Sequence, residues 1–318
     1  MLRFVYQRLS RALVILVVGT FLAYALLRLI PGDPTLSKLG TSGDKVARQL
    51  LLHKWHLDGN IITGYLGWAK DAVRGNLGND FAANIPVVTR ISQTLTASLQ
   101  LMFYAQILAL GGAFLMGIIQ AYRRDTAFDR LSNGFTSFLI STPVFVLGLV
   151  LQIVIAVQLK WVRPTGLVPF GQSAWLHFKS ALLPAVTLAA LPFATYARLL
   201  RTDMLATLQE DYILLARAKG LKPSYILLRH GLKPSLFSLI TSAGLNIGAL
   251  LGGAVAVEGT FNINGVGNLI VKSVLAREFL VVQGTLVLVI MVFVVANLAV
   301  ELLYGVLDPR VRHARALA

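Results

Sequence analysis

Apolar residues in this 318-residue chain gather into six long runs, at about 9–30, 95–121, 132–159, 181–206, 235–257 and 282–307, and most charges lie between them. A hydrocarbon core of about 30 Å takes about twenty mostly apolar residues per helix. Within that core every backbone group must bond inside its own segment. The pattern therefore predicts an all-α integral membrane protein with six transmembrane helices. The first run follows Arg3, Arg8 and Arg11 and ends in Leu29-Ile30-Pro31-Gly32-Asp33-Pro34. It is too long for a signal-peptide core and lacks a small-x-small cleavage site, so it reads as an uncleaved span.

The polar stretches between the runs carry their own patterns. Residues 31–93 hold Trp55, Trp68 and the turn pairs Pro31-Gly32 and Gly75-Asn76, which predicts a small helical cap outside the membrane. Residues 258–281 are too polar to cross and read as a turn followed by a helix on the outer surface. The stretch 210–234 predicts a short helix, a stop and a second short helix. Acids at Glu210 and Asp211 suit the positive end of the first, and Arg217 and Lys219 its negative end. Gly220 fits the left-handed residue that closes it, with Pro223 just beyond. So short a helix is marginal alone and needs something to dock against. The expected organisation is a first transmembrane helix at 1–30, an outer segment at 31–93, and a five-helix core at 94–318 that includes the short helix 210–220.

Composition narrows the class. The chain is 56% hydrophobic and 14% charged, with a mean hydropathy of +0.71. A soluble domain sits nearer 45–50% and about 25%. Cysteine is absent, which excludes disulfides and thiolate chemistry. The net charge of +15 is explained without nucleic acid, because cytoplasmic loops collect Lys and Arg. Six spans put both termini on one side. That side holds Arg3, Arg8, Arg11, Arg123, Arg124, Arg130, Arg198, Arg201, Arg217, Lys219, Lys222, Arg229, Lys233, Arg310, Arg312 and Arg315. The acids facing them are Asp125, Asp129, Asp203, Glu210, Asp211 and Asp308. Both termini and 210–234 are accordingly expected in the cytoplasm.

A series of local motifs, in order and at fixed distances, carries a resemblance. They are Pro31-Gly-Asp-Pro34, Arg74-Gly-Asn-Leu-Gly78, Leu182-Leu-Pro-Ala185, Asp211-Tyr-Ile-Leu-Leu-Ala-Arg-Ala-Lys-Gly-Leu221 with Arg229-His230, Gly252-Gly-Ala-Val-Ala-Val-Glu258 with Phe261, Gly265 and Gly267, and Leu307-Asp-Pro-Arg-Val-Arg312. Together they resemble the B-type permease subunits of dipeptide, oligopeptide and nickel ABC importers, nearly end to end. The resemblance implies a non-catalytic subunit of the bacterial or archaeal inner membrane. It also implies a second homologous permease, two ATPase subunits or one fused ATPase holding Mg-ATP, and an extracytoplasmic solute-binding protein that contacts 31–93 and 258–281. Residues 210–220 become the coupling helix, seated in a cleft of the ATPase. The broader importer motif has Glu-Ala-Ala where this chain has Leu214-Leu215-Ala216, so no role passes to Glu210.

On this reading Asp211, Arg217 and Lys219 are candidates for polar contacts with the ATPase. Tyr212, Ile213, Leu215, Ala216 and Leu221 are candidates for its packed face, and Gly220 for the turn. Arg229 and His230 either touch the ATPase or neutralise the loop backbone. Gly244, Gly248 and Gly252 line one face of the fifth run with small residues, for packing inside the subunit or for the partner permease beside the path. Glu258, expected within reach of water at the outer end of its span, and Phe261 are gate candidates. Glu258 and Glu301 also leave a proton-coupled secondary transporter as a rival class. Arg28 is expected to snorkel outward. His53 and His56 read as ordinary surface residues, so no metal is expected. No phosphate-binding G-x-x-x-x-G-K-[ST] motif or nucleophile–base set occurs, so neither a cofactor nor catalysis is expected in this chain. The substrate implied is a dipeptide or oligopeptide, with glutathione and nickel chelates as alternatives.

Overall fold

The computed structural model describes residues 2–29, 35, 39, 44–81 and 83–307; the side chains of 2–5, 29 and 301–307 lie outside the description. Outside it too lie Pro31–Pro34, Asp308, the basic tail and the carboxylate of Glu301. The helices are α1 (Leu2–Leu29), α2 (Lys45–Lys54), α3 (Ile61–Val73), α4 (Val87–Tyr122), α5 (Ala127–Ser141), α6 (Val144–Gln158), α7 (Ala174–Thr207), α8 (Asp211–Ala218), α9 (Pro223–Thr260), α10 (Val266–Leu275) and α11 (Phe279–Leu307). The fold is all-α. Among the described residues, five helices are long and apolar enough to cross a membrane, or six if α5 and α6 form one bent span.

The expected third run is not one straight helix. α5 and α6 meet at 107°. Pro143 has no N–H to give and pushes the residue before it out of the helical region, and Thr142 indeed sits at φ −91°, ψ 123°. The contacts of this bent pair step along α7 from one end to the other. Asp129 meets Arg201, Thr136 meets Arg198, Gly148 lies against Thr187, and Val168 beyond α6 donates its N–H to Ser180 and bonds His177 through its carbonyl. α5 thus lies against the C-terminal part of α7, and α6 turns away from it to meet the middle of α7.

The chain forms two compact units, residues 1–99 with 263–302 and residues 100–262 with 303–318. In the first, the segment 31–93 has two described helices. Asp44 accepts the Val46 N–H at the start of α2, and Asn60 accepts the Ile62 N–H at the start of α3. Trp55 stacks on Phe81 at 4.4 Å within a cluster with Val87, Ile91, Leu280 and Val281. The loop 75–86 is held by two buried carboxylates. Asp80 accepts the Ala83 and Ile85 N–H groups and pairs with Arg90 at 2.6 Å, and Glu278 accepts the Phe81 N–H at 2.7 Å. Burial works against the charge of Asp80, but those two N–H groups and Arg90 outweigh it and hold its carboxyl below the usual aspartate range.

The Arg28 guanidinium donates to the Leu57 and Gly59 carbonyls. His53 and His56 each pair with an aspartate, Asp58 at 2.7 Å and Asp71 at 2.9 Å. The His53 hydrogen bond holds the exposed Asp58 carboxyl below its usual range.

In the second unit α9 packs along α7, where Gly253 would place a Cβ 3.0 Å from Leu188. Glycines also admit bulk from α7 against α4, with Gly112 facing Phe193 and Gly117 facing Leu200. The expected second short helix after Gly220 does not stand apart. From Pro223 the backbone stays helical through a π turn at Ile226–Gly231 into α9, a continuous helix of 38 residues. Pro223 starts the helix, and nothing after it breaks the φ/ψ run.

Candidate functional site

α8 is built as its residues dictate. Glu210 occupies the N-cap position with no side-chain cap bond, Asp211 lies in the first turn and Arg217 in the last. At the far end Gly220 takes φ +76° and its N–H donates to the Arg217 carbonyl at 2.9 Å, while the Leu221 N–H reaches the Ala216 carbonyl at 3.3 Å. This is the paired closure that a left-handed residue permits.

The two faces of α8 divide the expected packing residues. Ile213 (0% exposed) and Ala216 are buried against Ile226 and the partly buried Leu208. Gly231, whose missing Cβ would stand 3.2 Å from Leu208, makes room for that residue. The sequence reading placed Ile213 and Ala216 on a face offered to a partner. They pack inside the chain instead, because Ile226 returns over α8 from the start of α9.

What α8 and its flanks turn outward is apolar as well. Tyr212, Leu214, Leu215 (57% exposed), Leu221, Tyr225 and Leu228 are all exposed. Around them stand the exposed charges of Asp211, Arg217, Lys219, Lys222 and Arg229. Ser224, Tyr225, Leu228 and Arg229 line a shallow cavity of about 400 Å³. His230 lies on the π turn, edge-on to Tyr225 at 5.7 Å. The structure thus brings Asp211–Leu221 and Arg229–His230 into one surface. Leu214, Tyr225 and Leu228 were missed, although the apolar residues among the basic ones of 221–229 signalled them.

The base of this surface is braced by an ion pair. Arg201 bonds both oxygens of Asp129, Nε at 2.8 Å and Nη2 at 2.7 Å. One helical turn away Arg198 donates to Thr136, Ser137 and the Asn133 carbonyl. These links tie α5 to the end of α7 that leads into α8.

A second feature lies on α9. Ser238, Thr241, Ser242, Leu245 and Asn246, with Phe237 and Leu199 of α7, line an open groove of about 610 Å³. Gly252 continues that helical face, exposed, with nothing within 4 Å of where a Cβ would be. Gly244 and Gly248 are half-buried. Near the C-terminal end of α9, Glu258, expected within reach of water, is fully buried. Phe261, also buried, rests where Gly148 would carry a Cβ, and its carbonyl accepts the Gly166 N–H at 2.8 Å. No group of three or more metal-ligating side chains occurs among the described residues.

Comparison with known proteins decides the family. The model of the binding-protein-dependent transport system inner membrane component matches residues 113–313, and that of the N-terminal part of the same membrane component matches residues 1–101. The chain belongs to this permease family. Among its relatives is a probable peptide ABC transporter permease of Sinorhizobium fredii, 33% identical, covering 98% of this chain and 99% of the relative. The glutathione transport system permease GsiC of Escherichia coli K12 is also 33% identical, covering 98% of this chain and all of the relative. A putative peptide transport system permease of Brucella abortus is 31% identical over 97% of this chain and 98% of the relative. Among solved structures, the inward-facing MetNI methionine ABC transporter matches at TM-score 0.58 and 16% identity, covering 70% of this chain and 97% of that one. At that identity the likeness concerns the fold alone.

Proposed function

We propose that this permease carries short peptides, glutathione among them, across the inner membrane, driven by ATP hydrolysed in partner subunits. The match over nearly the whole chain to peptide and glutathione permeases, at equal identity, supports the substrate class. The chain holds no nucleotide motif of its own, so Mg-ATP belongs to two ATPase subunits or one fused ATPase. A second homologous permease completes the path, and a solute-binding protein delivers substrate to the outer face.

The observation that carries the coupling mechanism is the double-sided apolar character of α8. One side is spent on Ile226 and Leu208, and the other stays uncovered among charges. A short helix in water does not keep such a face without a partner. Tyr212, Leu215 and Leu221 enter the ATPase cleft, Asp211, Arg217, Lys219 and Arg229 form its polar rim, and Gly220 sets the exit of the chain. ATP-driven closure then displaces α8 together with the inner end of α9. The transporter shifts between openings because the nucleotide states differ in affinity for the two arrangements. The polar groove on α9, with Gly244, Gly248 and Gly252, faces the substrate, while Glu258 and Phe261 belong to the packed outer closure.

Six crossings with both termini in the cytoplasm are part of this reading. Asp129 at the start of α5 is held by Arg201 near the end of α7 that leads into α8, which supports putting Arg123, Arg124 and Arg130 on the same side as the basic stretch around α8. Uptake by the complete complex in liposomes tests the proposal. Omitting ATP should abolish peptide accumulation, and dissipating a proton gradient should leave it intact. ATP-independent uptake driven by the gradient would overturn it in favour of a secondary transporter.

A further inference from the structure

The helix α3 lies too deep along α1 to be part of an aqueous cap. α1 offers an apolar stretch from Tyr6 to Arg28. Tyr65 of α3 bonds the Thr20 hydroxyl at 2.9 Å and donates to the Val17 carbonyl at 3.2 Å. Val17 is the midpoint of that stretch, roughly 16 Å of helix below Arg28. The Tyr65 ring meets Phe21 edge-on at 5.3 Å, and Trp68 lies 6.3 Å from the Tyr24 ring. Gly64 has no side chain where the Tyr24 hydroxyl and the His56 carbonyl approach. α3 therefore crosses α1 at the level of Phe21–Tyr24, about 6–10 Å inside its outer end. That is the depth at which helices lie along a membrane surface with one face among the acyl chains.

The composition of α3 fits that position. Its inner face, Gly64, Tyr65 and Trp68, is buried within the unit. Its outer face shows Ile62, Leu66 and Val73 (90% exposed), at positions that share one side of a helix. Lys70, the exposed charge on that side, has a stem long enough to carry its ammonium to the headgroups. α1 itself exposes apolar side chains at the same level, at Val18, Leu22 and Leu26. The polar hydroxyl that α3 carries downward is satisfied on Thr20 and Val17, as hydrocarbon requires.

We propose that α3 is embedded in the outer leaflet, with Ile62, Leu66 and Val73 against phospholipid acyl chains and Lys70 at the phosphates. The segment after the first span thus holds a lipid-bound helix below its water-exposed part. This assignment rests on α1 spanning the membrane and stands independently of the transported substrate.

The absence of cysteine makes the test direct. Ile62→Cys and Leu66→Cys, both at exposed positions, are labelled with a nitroxide in complexes whose other subunits carry no reactive thiol. The complexes are reconstituted in phosphatidylethanolamine–phosphatidylglycerol vesicles. Leu22→Cys serves as the lipid reference and Lys54→Cys as the water reference. Collisions with oxygen should exceed those with a water-soluble nickel chelate several-fold at positions 62 and 66, as at 22, and the ratio should invert at 54. Chelate collisions at 62 and 66 matching those at 54 would overturn the proposal. So would low collision with both reagents, which would mean that a protein partner covers the face. Quenching of a bimane attached at the same two positions by brominated phospholipids gives a second reading. Quenching as strong as at 22 is expected, and its absence counts against the assignment.

Discussion

Arg201 holds Asp129 by two parallel hydrogen bonds, with the carboxylate almost fully buried and the guanidinium about one-fifth exposed. Two forked bonds fix orientation as well as distance, which a lysine cannot do. Arg201→Met leaves a buried carboxylate without its partner and should cost about 3 kcal/mol, the lower end for breaking a buried pair. Arg201→Lys should recover only part of it. Thermal or SDS denaturation midpoints of the purified complex measure both.

The two faces of α8 give opposite predictions. Ile213→Ala opens a cavity in the cluster with Ala216 and Ile226 and should cost about 2–4 kcal/mol locally. It should also raise hydrogen exchange across 208–226. Leu215→Ala removes a side chain that is mostly exposed and should change stability by less than about 0.5 kcal/mol, yet weaken ATPase association measured by co-purification or titration. Equal behaviour of the two variants would remove the distinction drawn between the faces.

Gly220 has open space where a Cβ would go, so substitution there meets backbone strain and no clash. Gly220→Val should cost about 1–2 kcal/mol and loosen the end of α8. Gly220→Asn, which tolerates the left-handed region, should be milder. ATP-driven uptake should follow the same order.

Gly148 tests the packing of α6 against Phe261 and α7. A Cβ there would stand 3.2 Å from both Phe261 and Thr187. Gly148→Leu should cost about 1–3 kcal/mol through overpacking and lower uptake, with Gly148→Ala between it and the wild type.

The loop 75–86 should be acid-sensitive in a defined direction. The carboxyl of Asp80 is depressed in the folded state, so its contribution is complete above the ordinary aspartate value, about 3.9. It is lost as pH falls through the lower folded value. Protection of the Ala83 and Ile85 amides should collapse on acidification below about pH 4, and Asp80→Asn should lower it at neutral pH and flatten the profile.

Much of the fold was legible because two signals are local. Apolar run length gave the spans, and Gly220 with Pro223 gave the stop and restart around α8. What escaped was tertiary. The buried side of α8 is decided by Ile226, which no periodicity in an eight-residue helix reveals. The bend at Pro143 was written in the sequence, but a run with apolar residues on both sides of a proline still reads as one span. The burial of Glu258 depends on the packing of α6 and α7 around its helix, and the depth of α3 on a hydroxyl contact forty-five residues away in sequence. The return of residues 263–302 to the N-terminal unit likewise has no local mark.

The continuous backbone from Pro223 to Thr260 has a mechanical consequence. Thirty-eight helical residues form a rod roughly 57 Å long. One end carries Tyr225 and Leu228, and Thr260 at the other precedes Phe261. A tilt of about 10° about one end would swing the other by roughly 10 Å at that length, far more than a loose linker could transmit. The π turn at 226–231 is the irregular joint in this stretch of helix, so compliance concentrates beside Tyr225 and Leu228. The membrane part can then behave as a stiff arm whose throw is set by geometry.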